Sequence, residues 1–149
     1  MKRRGRRRWK RNMVVLLDTN VVINYMTNRD DRFLTESIKI MDLCGNQAIK
    51  GYLAFHSLSI IWYSLRKYYP DDKRREMLRD ICNVLTVVGA EQSAILDAID
   101  KEAFKDFEDC LQDKCASGVH ADYLITCNLK DYTESETRAV TPAEFLQLI

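Results

Sequence analysis

Apolar positions in this chain fall into short continuous runs separated by longer stretches of helical period. Val14-Val15-Leu16-Leu17 is the first run, with the composition of a buried strand, and it delivers Asp18-Thr19-Asn20 to its end. The period then changes: Val21, Val22, Tyr25 and Met26 recur at helical spacing, with Asn20 in position to cap that helix. Phe33 to Gly45 reads as a second helix, Ile49 to Phe55 as a strand, and Ser57 to Tyr69 as a helix stopped by Pro70. Asp71 to Asn83 is a charged amphipathic helix, followed by the strand Val84 to Val88. Helices at about Gln92–Lys101 and Phe107–Gly118 precede a strand from Tyr123 to Thr126. Ala139-Val140 reads as a last short strand. Thr141-Pro142-Ala143-Glu144 then opens a helix, with threonine at the cap, proline in the first turn and glutamate three residues on.

Strands alternating with helices predict a parallel sheet of four to five strands with helices on both faces. At 149 residues the chain is the size of one domain with a substantial core. No repeat, low-complexity tract or internal linker divides residues 13–149, and no apolar segment is long enough for a membrane span.

Charge adds an asymmetry. Residues 1–12 hold eight of the 23 basic groups and no acid, which leaves 15 basic against 22 acidic groups in residues 13–149, a net of −7. The head has two open readings: an arm that contacts nucleic acid phosphates with Trp9 available to stack, or an accessory extension ahead of a start at Met13. Five cysteines, none spaced C-x-x-C, and two histidines make no zinc-type cluster; reduced thiols in a cytoplasmic protein are the expectation.

Candidate chemistry lies with the carboxylates. In an open parallel sheet, ligands bind beyond the C-terminal ends of the strands, where Asp18 falls. Asp106-Phe107-Glu108-Asp109 opens a later helix, and Asp106 and Asp109, three apart, share a face of its first turn. Thr126 ends the fourth strand and Asn128 lies just past it. Carboxylates brought together repel unless a divalent cation joins them, and magnesium or manganese favours such oxygen ligands. Each residue has a plainer reading: Asp18 as a helix cap, Asp106 as a cap, Asp131 as a solvated turn residue, and Thr126 as the last residue of a strand. Trp62, Tyr63, Tyr68 and Tyr69 are placed either to stack on bases or to pack in a core or dimer; Arg66, Lys67, Arg74 and Arg75 form either a phosphate-facing stripe or a solvated face.

Leu17-Asp18-Thr19-Asn20-Val21-Val22-Ile23, Asp106-Phe107-Glu108-Asp109 and Ile125-Thr126-Cys127-Asn128-Leu129-Lys130-Asp131-Tyr132 together resemble a PIN domain, and most of all the VapC-like toxin nucleases of bacterial toxin–antitoxin pairs. The resemblance runs from about Met13 to Ile149. It implies a three-layer α/β/α domain acting as a magnesium- or manganese-dependent endoribonuclease, often dimeric and inhibited by a protein antitoxin. It implies Asp18 and Asp109 as metal ligands and catalytic acids, with Asn128 where the family commonly has a catalytic aspartate. Asp106 becomes a further metal ligand, and Asn20, Thr126 and Asp131 become auxiliary residues.

Two departures from the family pattern stand out. The glutamate usual in the helix after the second strand has no counterpart: counting back from Lys67 lands on Ile60, and no acid lies between Asp42 and Asp71. Asn128 supplies oxygen without charge. A weakly catalytic or noncatalytic PIN-like module that binds RNA or a partner therefore stands as the alternative. A haloacid-dehalogenase-type phosphatase fits worse, because Asn20 cannot serve as its general acid and no paired aspartates follow a later strand.

Overall fold

The computed structural model describes residues 13–149; the basic head at 1–12, and the reading of it as an arm, lie outside the described residues. Five strands form one sheet: β1 (Val14–Leu17), β2 (Lys50–Ala54), β3 (Thr86–Val88), β4 (Tyr123–Ile125) and β5 (Ala139–Val140). The order is β3-β2-β1-β4-β5 and every pairing is parallel, with Leu17 beside Leu53 on one side and Ile125 on the other.

The chain moves outward from β1 to β3, then returns to lay β4 against the other side of β1. Strand order thus reverses between β1 and β4, and a crevice opens beyond their C-terminal ends. The backbone N–H of Asp18 donates to Ile125 O at 2.9 Å and carries the pairing to the rim of that crevice.

Among the described residues, seven α-helices complete the three layers. Alternation along β1 sends Val15 and Leu17 to one face and Leu16 to the other. Val15 and Leu17 pack in a core with residues of α1 (Thr19–Thr27), α2 (Leu34–Gly45), α3 (Phe55–Leu65), α4 (Asp71–Val84) and α7 (Pro142–Leu148). Leu16, with Ala54 and Leu124, packs against Ala98 of α5 (Gln92–Asp100) and Cys110, Cys115 and Ala116 of α6 (Phe107–Gly118). Both faces of the sheet are therefore covered, which is why its strands read as unbroken apolar runs.

The ends of several helices follow local chemistry. Thr141 accepts the Glu144 N–H at 3.1 Å with Pro142 in the first turn, as the sequence predicts. Asp106 caps α6 by accepting the Asp109 N–H at 3.0 Å. The cap of α1 is Asp18 rather than Asn20, because the helix begins at Thr19, directly after the strand. α4 runs through Val84, so β3 begins two residues later than its apolar run suggests. Phe55, read as the end of a strand, is instead the first residue of α3 and is 68% exposed.

All five cysteines are free thiols; Cys82 is exposed and the other four are buried, with burial pushing Cys44 up to about 12. Among the described residues no helix is long and apolar enough to cross a membrane.

Candidate active site

The crevice between β1 and β4 is floored by Asp18. Its side chain is 6% exposed and held from two directions. The Thr19 backbone N–H donates to Oδ1 at 2.8 Å, and the Thr126 hydroxyl, itself fully buried, donates to Oδ2 at 2.9 Å. Thr126 Oγ1 in turn accepts the Asn128 N–H at 3.0 Å, which fixes the turn leaving β4. Burial pushes the Asp18 carboxyl above its ordinary range, while the bonds from Thr126 and Thr19 pull the other way.

Asp109 arrives from the first turn of α6, half-buried. Tyr132 braces Asp109: it ends a short 3-10 turn at Leu129–Tyr132, is 3% exposed, and donates its hydroxyl to Asp109 Oδ1 at 3.2 Å. The same hydroxyl favours the ionised form of Asp18. An edge-on contact with Phe104, ring centroids 5.9 Å apart, holds the Tyr132 ring. Burial, then the charge of Asp18, then that of Asp106, push Asp109 up to about 7. Glu108 is raised by burial and by the charges of Asp106 and Asp18. Asp131, exposed, adds its charge to the repulsion on both Asp18 and Asp109.

Asp18 and Asp109, far apart in sequence, thus lie close enough for the charge of one to act on the other. The expected residues divide around this pair. Thr126 donates to Asp18, Tyr132 donates to Asp109, the charge of Asp18 acts on Asp109, and that of Asp131 acts on both. Asp106 has one carboxylate oxygen committed to the α6 cap. Asn128 is exposed beside β4. Asn20 accepts from the Arg29 guanidinium at 3.3 Å; the groups that orient Asp18 are Thr19 and Thr126.

A second layer lies behind the acids. Thr19 Oγ1 and Ser57 Oγ are 2.8 Å apart, and Gln112 Nε2 donates to Ser57 at 2.8 Å and to Thr19 at 3.2 Å. Ser57 and Gln112 are fully buried, and Gln112 Oε1 has no hydrogen-bond partner. Ser57, rather than Ile60 one turn further along, is therefore the α3 residue joined to the neighbour of Asp18. A neutral hydroxyl and a carboxamide occupy the side of the site nearest α3.

Sequence reading missed Tyr132, Ser57 and Gln112. Gln112 falls three residues after Asp109 and so shares its helix face, a signal available in principle. Nothing in the order of residues ties Tyr132 or Ser57 to Asp18.

The oxygen donors suit a hard cation in kind, and the raised Asp109 marks negative charge that a cation would offset. They fall short in number: among the described residues, no three Asp, Glu, His or Cys side chains are close enough together to hold a metal ion as they stand.

Parallel order, a switch point at β1, and acids at the end of β1 and the start of α6 define an open three-layer α/β/α domain. The PIN domain family model matches residues 14–130, and the chain belongs to that family. Solved structures agree on the fold. A chain of the VapBC2 complex from Rickettsia felis, bound to a DNA fragment from its promoter, is 14% identical; the match covers 87% of this chain and 98% of that one, with a TM-score of 0.65. VapBC-1 from nontypeable Haemophilus influenzae is 17% identical over 88% and 99% of the two chains, TM-score 0.65. A toxin–antitoxin complex from Klebsiella pneumoniae is 19% identical over 86% and 97%, TM-score 0.64. No curated protein matches the sequence.

Proposed function

We propose that this chain is a divalent-metal-dependent endoribonuclease, the toxin of a toxin–antitoxin pair, with a protein antitoxin as its partner. The observation that carries the reading is the pair Asp18 and Asp109 near the switch point of the sheet, close enough for the charge of Asp18 to raise Asp109, with the Tyr132 hydroxyl donating to Asp109. Membership of the PIN family and the fold shared with chains of VapBC complexes support the toxin assignment.

Asp18 and Asp109 would hold magnesium or manganese, with Asp106 and Asp131 adding negative charge around it. Such an ion lowers the pKa of a bound water and offsets charge on the phosphate undergoing attack. The chain's own residues orient and switch. Thr19 and Thr126 fix both oxygens of Asp18, so its orientation is set before any ligand arrives. Asp109 gives up its proton near neutrality, and Tyr132 steadies its ionised form by donating to Oδ1. Asn128 would offer a neutral oxygen at the mouth.

The neutral layer of Ser57 and Gln112 favours a second reading, a PIN module that binds RNA or its partner with feeble turnover. Cleavage of single-stranded RNA by the purified chain in magnesium or manganese separates the two. The nuclease reading expects cleavage that stops with EDTA and is lost in Asp18→Ala and in Asp109→Ala. It also expects Thr126→Val to lower the rate about 10- to 100-fold, the usual effect of removing a partner that orients a metal ligand. RNA binding without cleavage in either metal would establish the module instead.

A further inference from the structure

A groove of about 670 Å³ lies along α1, floored by Ile23 and Thr27 and walled by the end of α3 and the turn that follows it. Three cations, Arg29, Arg66 and Lys67, and three tyrosines, Tyr63, Tyr68 and Tyr69, line it, and no carboxylate does. That is unusual in a body whose residues 13–149 carry a net charge of −7. Among the described residues, none of the three cations forms a salt bridge.

Two of the aromatic rings face solvent: Tyr63 is 63% and Tyr68 71% exposed. Tyr63 is pre-set. The Arg66 guanidinium lies 3.5 Å from its ring centroid and donates to the Tyr63 carbonyl at 2.7 Å, which holds a flat cation against a flat ring. The other basic residues of this region do something different: Arg74 and Arg75 pack over Trp62, at 3.9 and 5.4 Å from its centroid, and Trp62 lies outside the groove.

The groove connects to the acidic pocket through α1. Asn20, Ile23 and Thr27 fall on one face of that helix, which starts directly after Asp18. Arg29 folds back from the groove to donate to Asn20 at 3.3 Å and to Asn24 at 2.5 Å. The nine residues of α1 separate the two regions by roughly 13 Å at 1.5 Å per residue, a span that a few nucleotides cover.

We propose that this groove binds single-stranded RNA flanking the cleaved bond, with bases stacked on Tyr63 and Tyr68 and phosphates held by Arg29, Arg66 and Lys67. The inference rests on the nuclease reading for its substrate. Exposed rings beside unpaired cations give every base a stacking face and every phosphate a counter-charge, the chemistry of sequence-tolerant single-strand binding. An acidic protein segment satisfies the cations but leaves the exposed rings unexplained.

Fluorescence anisotropy with a labelled single-stranded RNA, carried out in EDTA on the full chain, tests the groove without cleavage. Residues 1–12 are kept in every variant, so their contribution cancels. Tyr63→Ala with Tyr68→Ala is expected to weaken single-strand binding at least roughly 5-fold, from the measured range for removal of base stacking, and to leave duplex RNA binding little changed. Arg66→Ala with Lys67→Ala is expected to flatten the salt dependence by roughly 0.7 in log-log slope for each phosphate left without its cation. Ultraviolet cross-links are expected at Tyr63 or Tyr68. Unchanged affinity in the folded tyrosine variant, or cross-links confined to other surfaces, would overturn the proposal and leave the groove to a protein ligand. Tyrosine-dependent binding in a chain that cleaves nothing would keep the groove and sink the nuclease reading; cleavage with tyrosine-independent binding would do the reverse.

Discussion

Asp109 sets the pH behaviour of the site. Its carboxyl rises from an ordinary 3.8 to about 7, chiefly through burial and the facing charge of Asp18. The folded protein therefore holds this proton more tightly than the unfolded chain does. Its contribution to stability is fully present below the unfolded value and is lost as pH rises through about 7. In EDTA, the melting temperature of the wild type should fall relative to that of Asp109→Asn between pH 4 and 8; parallel curves would refute the assignment. A cation requires the ionised form, so magnesium affinity should rise through the same window, with proton release visible by calorimetry in buffers of different ionisation enthalpy. Asp18 was legible because it sits where a strand-type run gives way to helical period, and Asp109 because it opens a helix in company with Asp106 and the other motifs of the family resemblance. Of the residues that tune them, Thr126 was named only through the family resemblance, 108 positions from Asp18, and Tyr132, 23 positions from Asp109, was missed. Side-chain bonds across such separations leave no trace in local pattern.

At the level of helices and strands, the apolar runs predicted the architecture well, because strands covered on both faces keep one character along their length. The errors fall at ends, where a single bond decides. Asp18 and Asn20 are both good caps, and only the close fit of Thr19 against the strand end selects Asp18. Val84 is apolar in either state, and packing assigns it to α4. Gly51 shows what close packing demands of β2. A Cβ there would lie 2.6 Å from both Cys44 Sγ and Leu85 Cδ2, which belong to the core between the sheet and α2 and α4. Gly51→Ala should destabilise the fold by about 1–3 kcal/mol, the usual cost of overpacking a filled core, measured by chemical denaturation. A loss below about 0.5 kcal/mol, the scatter of surface substitutions, would mean that the neighbouring side chains relax freely.

Across the whole molecule, apolar surface remains uncovered on α5, where Ile95, Leu96 and Ile99 are 37%, 52% and 57% exposed. These three lie on the outer side of the helix, away from Ala98, which is buried against α6. The PIN resemblance implies a homodimer, and this face is where we would place its interface. Leu96→Asp with Ile99→Asp should convert a dimer to a monomer in light scattering without lowering the melting temperature of the protomer. A wild-type chain that is monomeric at high concentration would rule the interface out.

The central position of β1 has a temporal side. Asp18 emerges early in synthesis, yet its anchor Thr126, and Tyr132 that braces Asp109, are made more than a hundred residues later. Until β4 slots in beside β1, the rim holds one unbraced carboxylate and no second acid in place. A half-made polypeptide thus has no assembled site, and whatever chemistry these residues carry out must wait until nearly the whole chain has been made.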